Sequence, residues 1–545
     1  MYLSRREFVQ YAAVTGLAAP LSAGTLAAEQ VRGTPARPIG PPPPFELEDI
    51  TIQQLQDGLK SGKYTSRRLV TAYLTRIQQI DGTGPTLRSV IETNPDALSL
   101  ADAADAERKA GKMRGPLHGI PVLIKDNIAT GDKMKTTAGS LALADAPAPR
   151  DSAVAQRLRD AGAIIIGKTN LSEWANFRST HSVSGWSGRG GLVKNPYALD
   201  RNACGSSSGT GAAIAASLAA VGVGSETDGS IVCPSGANSL VGIKPTLGLV
   251  SRGGIIPISH TQDTAGPMAR TVADAAALLG VLAGVDPNDA ATAAAGGHIA
   301  ADYTKFLDPA GLKGARIGVA RAKFFGYSGV TDKVVEQALE VMKQAGAVIV
   351  DPADIPHAGE YDDAEFTVLL YEFKADLNAY LAGLGAQATN KTLADLIAWN
   401  DKNHDQELKY FGQEIFTMAQ DKGPLSDDAY IEALAHCRRL ARTEGLDAVF
   451  AKEKLDALVA PTGSPAWTTD LVNGDHFLGA SSTPAAVSGY PSISVPVGYV
   501  RGLPVGMSLI GTAWSEPTLI RLAYAYEQAA KPRRAPRFLG TADLT

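Results

Sequence analysis

Cysteine is scarce in this chain. Cys204, Cys233 and Cys437 are the three present. They are too few for a disulfide framework, and the odd count leaves at least one thiol unpaired within the chain. No Cys-x-x-Cys pair or His/Cys cluster marks a metal site. The eight histidines are scattered, and none sits in a motif that would serve a serine–histidine hydrolase. An excess of basic charge is also lacking. With 51 Lys+Arg against 56 Asp+Glu the net charge is −5, which gives no footing for nucleic acid or an anionic membrane. There is no internal repeat, and no apolar run approaches the ~20 residues that span a bilayer. What remains is ordinary for a soluble globular protein: 45% hydrophobic and 20% charged residues. The 545 residues have room for two or three average domains or one large one.

Glycine and serine are abundant in one place. Cys204-Gly-Ser-Ser-Ser-Gly-Thr-Gly is followed by an Ala-rich apolar run and then by Gly224-Ser-Glu-Thr-Asp-Gly-Ser-Ile-Val-Cys-Pro. Thr210 to Ala220 reads as a buried helix beginning directly after Gly209. Its free amides and positive dipole end would face back toward the serines. Serines held beside backbone donors supply what acyl transfer needs, a nucleophile and amides for an oxyanion. Gly205-Ser-Ser-Ser-Gly209 also fits the G-x-S-x-G nucleophile elbow, with Ser207 central. That motif requires a hydrophobic strand just before it, and Asn195 to Cys204 reads as loop. A bare Gly/Ser loop would be the plainer reading of one cluster. A second cluster one helix away counts against it.

The next unusual residue is Lys125, at the end of Gly119-Ile-Pro-Val-Leu-Ile-Lys-Asp-Asn-Ile. Val122 to Ile124 reads as a buried strand. A lysine at its end either snorkels to solvent or is desolvated enough to act as a neutral base.

Helix–strand alternation follows: a helix over Asp151 to Gly162, a strand over Ala163 to Lys168, and later a strand, helix and strand over Gly314–Ala320, Thr331–Gly346 and Ala347–Val350. This predicts an α/β fold with helices on both faces of the sheet. Further helices are expected around Ile50–Leu59, from Ser66 (as cap) to Ile77, over Ala97–Lys112 and over Thr271–Leu282. Val241–Lys244 and Gly248–Ile256 read as strand and turn. Residues 352–450 read as a more polar helical region.

The amino terminus has the form of an export signal. Ser4-Arg-Arg-Glu-Phe precedes a short apolar run and small residues, so residues 1–28 are expected to be a twin-arginine-type signal peptide. Residues 29–47, with Pro41-Pro-Pro-Pro44, are expected to be a stiff linker. Localisation outside the cytoplasm, periplasmic or secreted, follows as an expectation.

The two Gly/Ser segments and the Lys125 strand resemble the signatures of the amidase signature family. The variants Cys-Gly-Ser-Ser-Ser-Gly and Glu-Thr-Asp-Gly-Ser-Ile-Val-Cys-Pro are similar to its bacterial peptide amidase branch. The chain departs from the common pattern at Cys204, Ser208 and Asp228, where glycine is usual, and at Met507, where glutamine is common. The resemblance covers roughly residues 48–530. It implies a single large domain, here bounded at 48–535, with a central mixed β-sheet and with 352–450 shaping the substrate site. It also implies a catalytic Lys125, a bridging Ser206 on a cis peptide, a nucleophilic Ser230, and an oxyanion hole from the backbone of Thr227, Asp228, Gly229 and Ser230. Asn176 (to bind substrate or position Lys125), Thr180 and Ser207 are the candidate substrate contacts. Asp263-Thr-Ala-Gly-Pro-Met-Ala-Arg resembles a further family segment and is read as scaffold lining the site; His181 is read as structural. The expected activity is hydrolysis of carboxamides, C-terminal amides of peptides in particular. Its alternatives are a broad aliphatic or aryl amidase and a non-catalytic exported binding protein. No cofactor or metal, no nucleic-acid or membrane partner, and a monomer are expected.

Overall fold

The computed structural model describes residues 43–544. The expected signal peptide and most of the linker lie outside them. Among the described residues no helix is long and apolar enough to cross a membrane.

The architecture is one large α/β domain, an 11-stranded mixed sheet flanked by helices. In chain order the elements up to the middle of the sheet are α1 (Ile52–Ser61), α2 (Ser66–Ile77), β1 (Val90–Thr93), α3 (Ala97–Lys109), β2 (Pro121–Lys125), α4 (Ala153–Asp160) and β3 (Ile164–Thr169). They are followed by α5 (Ser208–Ala215), β4 (Val221–Glu226), α6 (Val232–Ala237), β5 (Val241–Lys244), β6 (Thr264–Ala269) and α7 (Val272–Leu282). Beyond them lie β7 (Arg316–Val319), α8 (Gly329–Gln344), β8 (Val348–Val350) and a helical stretch that includes α9 (Asp362–Gly383), α10 (Leu393–Lys402), α11 (Glu414–Gln420) and α12 (Asp428–Arg438). The sheet is completed by β9 (Ala457–Pro461), β10 (Ser492–Val500) and β11 (Leu503–Ile510). The strand order is β1-β3-β2-β4-β6-β5-β10-β11-β9-β7-β8. Strands β3, β2 and β4 run parallel, as do β9, β7 and β8, while the middle of the sheet is antiparallel.

The strands that carry chemistry are the deepest. All five residues of β2 are buried, because β2 has a strand on each side and apolar side chains on both faces. That is the continuous apolar pattern of a parallel strand covered on both faces. Helix α5 is made of small residues and is wholly buried, its Ser208 and Thr210 hydroxyls bonded to Ser172 and Thr169, so it lies inside the protein and not on it. It begins at Ser208, slightly before the expected Thr210. Leu47 near one end of the domain and Phe538 near the other belong to the same hydrophobic core. Ordered packing therefore extends past both expected domain boundaries.

One local expectation differs. The cap of α2 is Thr65, whose side chain accepts from Arg68 N, so Ser66 is the first helical residue. The strand over Val241–Lys244 and the turns over residues 248–256, with isolated bridges, are as expected. The Asp263 segment, read as scaffold, is itself a central strand, β6. Pro267 fits there because β5 pairs only with Met268 and Ala269, leaving no bond for the missing N–H to make.

Candidate active site

Lys125 ends β2 with its side chain fully buried. A central strand offers no edge over which a lysine could reach water. Its Nζ donates to Ser206 Oγ at 2.7 Å, Ser225 Oγ at 3.0 Å and the Ser225 carbonyl at 3.1 Å. Burial pushes the ammonium down to about 7, against the opposing pull of Asp263 and Glu226. At neutral pH a large share of Lys125 is therefore the free amine, which can accept a proton.

Ser206 lies just before α5, and the Gly205–Ser206 peptide is cis. It is almost fully buried. The approach of α5 to β4 requires glycine at 224. A Cβ there would stand 2.8 Å from Ser207 Oγ and 2.9 Å from Met268 Sδ. Ser207 Oγ bonds the Ser225 backbone, donating to its carbonyl at 3.1 Å and accepting from its amide at 3.3 Å. The Ser207 side chain thus anchors the loop to the sheet and does not line the cavity described below.

The loop after β4 carries the second serine. Gly229 has φ 77°, a left-handed turn position suited to glycine. Ser207 N donates to the Ser230 carbonyl at 3.2 Å, setting Ser230 beside Ser206. Glu226 Oε2 accepts from Ile231 N and Val232 N at 2.7 and 3.0 Å, which fixes the far side of the turn. Thr227 Oγ1 donates to Asp263 Oδ1 at 2.6 Å, while Asp263 Oδ2 accepts from Ile258 N and Ser259 N. Among the described residues, no group accepts from the amides of Thr227, Asp228, Gly229 or Ser230. These four amides are available to a ligand. Ser225 and Glu226 were not legible as site residues, and Asp263 was legible only as scaffold lining the site. Their roles depend on strand neighbours that sequence spacing does not reveal.

A disulfide joins Cys204 to Cys233, with Cα atoms 6.0 Å apart, and leaves Cys437 free and buried. It ties the two Gly/Ser segments directly. The signal for it was the pair of cysteines flanking the serines, but their pairing needed the fold.

Ser230 opens onto a cavity of about 600 Å3. Asn176, Thr180, Asp228 and Asp475 are among its walls. Asn176 donates to Ser184 Oγ at 3.2 Å and does not bond Lys125. Thr180 stands exposed at the rim, where its amide and hydroxyl donate to Glu414 Oε1 on α11. His181 is also at the rim and 79% exposed. The polar helical region thus reaches the site through Glu414, and again through Glu372 and Asp376 of α9, which bond the turn at 259–261. A second space of about 10 Å3, sufficient for one water-sized molecule, touches Ser206, Ser225 and Asn127.

Comparison with known proteins gives the same picture. The Amidase family profile matches residues 68–520. The structure of native peptide amidase from Stenotrophomonas maltophilia is 53% identical, with a TM-score of 0.87, covering 91% of this chain and 100% of that one. The crystal structure of an amidase family protein from Bacillus anthracis is 36% identical, with a TM-score of 0.81, covering 90% of this chain and 93% of that one. A protein named as a probable amidase of Arabidopsis thaliana is 42% identical over 504 residues, 91% of this chain and 93% of its own length. The chain belongs to the amidase signature family and is an amidase acting on carbon–nitrogen bonds.

Proposed function

We propose that this amidase removes the C-terminal carboxamide of peptides, releasing ammonia, through a Ser230–Ser206–Lys125 triad. The observation that carries the triad is the buried 2.7 Å bond from Lys125 to Ser206, with Ser230 held next to it at the cavity floor. Neutral Lys125 takes the Ser206 proton as Ser206 takes that of Ser230. Ser230 Oγ attacks the carboxamide carbon, and the carbonyl oxygen becomes an oxyanion held by the free amides of 227–230. The C–N bond then breaks. The proton returns from Lys125 through Ser206 to the leaving nitrogen, which departs as ammonia. Water attacks the acyl ester by the same relay and frees the acid and Ser230.

The peptide reading is supported by the 53% identity to a peptide amidase and by a cavity roomy enough for a short acyl chain. Asn176 and Thr180 would meet that chain; Ser207 would not. Export is supported by the amino-terminal pattern and by the Cys204–Cys233 disulfide, since such bonds persist in oxidising compartments. Cell fractionation with a tagged full-length chain tests export; activity confined to the cytosol would contradict it. The substrate is tested with one short peptide prepared as its amide and as its free acid. Ammonia release from the amide, with all internal bonds intact by mass spectrometry, is the expected result. Turnover of simple acyl amides but of neither peptide would leave a broad amidase instead.

A further inference from the structure

The charge of the substrate cavity is one-sided. Two carboxylates line it, Asp228 and Asp475, and among its lining residues there is no lysine or arginine. Asp228 follows Thr227 in the oxyanion turn. Its Oδ2 accepts from Thr483 Oγ1 at 2.6 Å, and the neighbouring Ser482 hydroxyl also favours its ionised form. Asp475 is engaged only by neutral donors: Ser184 N at 2.9 Å, Trp467 Nε1 at 3.0 Å and Asn202 Nδ2 at 3.3 Å. Among the described residues no cation pairs with it. Both carboxyls are held above their ordinary range by burial, and neutral donors only partly offset it. The other charged groups near Asp228 are Lys244, Asp362, Glu226 and Glu365. Lys244 is buried and spends its ammonium on the carbonyls of Pro245 and Tyr490. The balance facing the ligand is negative.

We propose that the cavity selects for positive charge on the acyl part of the substrate, with Asp228 and Asp475 as the residues that read it. Amides of peptides bearing a guanidinium or ammonium near the scissile end are preferred over neutral isosteres, and acidic ones are rejected. An ammonium or guanidinium in the cavity would give Asp228 and Asp475 a counter-charge and favour the ionised form of both. An anionic acyl part would meet two carboxylates in a partly desolvated space. This rests on the amidase reading above.

The test measures kcat/KM of the full chain on N-acetyl dipeptide amides that differ at one residue. Arginine is compared with citrulline, lysine with norleucine, and glutamate with glutamine, at each of the two positions. The expected result is a preference on the order of tenfold for the cation at one position or both. The preference should shrink as salt rises from about 0.05 to about 0.5 M, and glutamate should fall below glutamine. Asp228→Asn and Asp475→Asn should each lower the arginine-to-citrulline ratio, whatever they do to the absolute rate. A variant that merely disturbs the cavity would slow both substrates alike. Turnover of all the amides with an arginine-to-citrulline ratio near one in the wild-type chain would overturn the proposal and leave the amidase reading standing. A ratio unchanged in both Asn variants would overturn it as well. Failure to turn over any amide would instead count against the amidase reading on which it rests.

Discussion

The most exposed part of the mechanism is the protonation state of Lys125. An ordinary lysine, with a pKa near 10.4, is neutral at pH 7 in only about 4 parts in 10,000. With its ammonium at about 7, half of Lys125 is neutral there. Desolvation therefore raises the supply of base roughly a thousandfold. The sign is fixed by the direction of the shift. The active, neutral form is lost as pH falls through 7, so activity has an acid limb. The neutral fraction is about 9% at pH 6 and about 91% at pH 8, a tenfold change for a single titration. The assay is kcat/KM for a carboxamide over pH 5–9 at constant ionic strength, since kcat/KM reports the free enzyme. Lys125→Arg keeps a charge that does not titrate in this range and should lower acylation by about 10²–10⁴, with circular dichroism and Tm reporting that the fold is kept. A rate that is flat from pH 5.5 to 8, or near-normal acylation by Lys125→Arg, would refute the reasoning.

Other outcomes follow from the same geometry. Asp263 is the largest charge holding the Lys125 pKa up, so Asp263→Asn should move the acid limb of kcat/KM to lower pH, by up to about one unit; movement to higher pH would contradict the assignment. The Cys204–Cys233 bond spans a sequence separation of 29, and by loop-closure entropy Cys204→Ser with Cys233→Ser should cost about 3–4 kcal/mol in denaturant unfolding, with lower activity because the two serine segments are no longer tied. An unchanged midpoint would show that the bond contributes nothing to stability. Gly224→Ala places a methyl against Ser207 Oγ and Met268 Sδ and should cost about 1–3 kcal/mol together with a loss of kcat, read by thermal unfolding and steady-state kinetics.

How much of this was legible beforehand depended on whether a residue's role is local. Lys125 could be singled out because a charged side chain at the end of an apolar run is a conflict visible in the sequence itself, and the structure buries it. The Gly/Ser segments were legible because turn residues and an apolar helix announce their own geometry. Ser207 was not, since adjacent serines in one loop look alike. Only the approach of α5 to β4 decides that Ser206 meets Lys125 while Ser207 bonds the Ser225 backbone. Strand β6 was not legible as a strand, since its segment carries Gly266 and Pro267, residue types depleted in strands. The supports from the helical region, Glu414, Glu372 and Asp376, lie more than 100 residues from the loops they hold. No periodicity records such pairings.

The central claim is that Ser230 carries the acyl group, activated through Ser206 and Lys125. Its most direct test is rapid quench of the enzyme with a peptide amide, followed by intact-mass measurement and peptide mapping. The account predicts a transient adduct of the acyl mass on Ser230, formed with release of ammonia, absent in Ser230→Ala and strongly slowed in Ser206→Ala and Lys125→Arg. An adduct on another residue, or full turnover by Ser230→Ala, would contradict it.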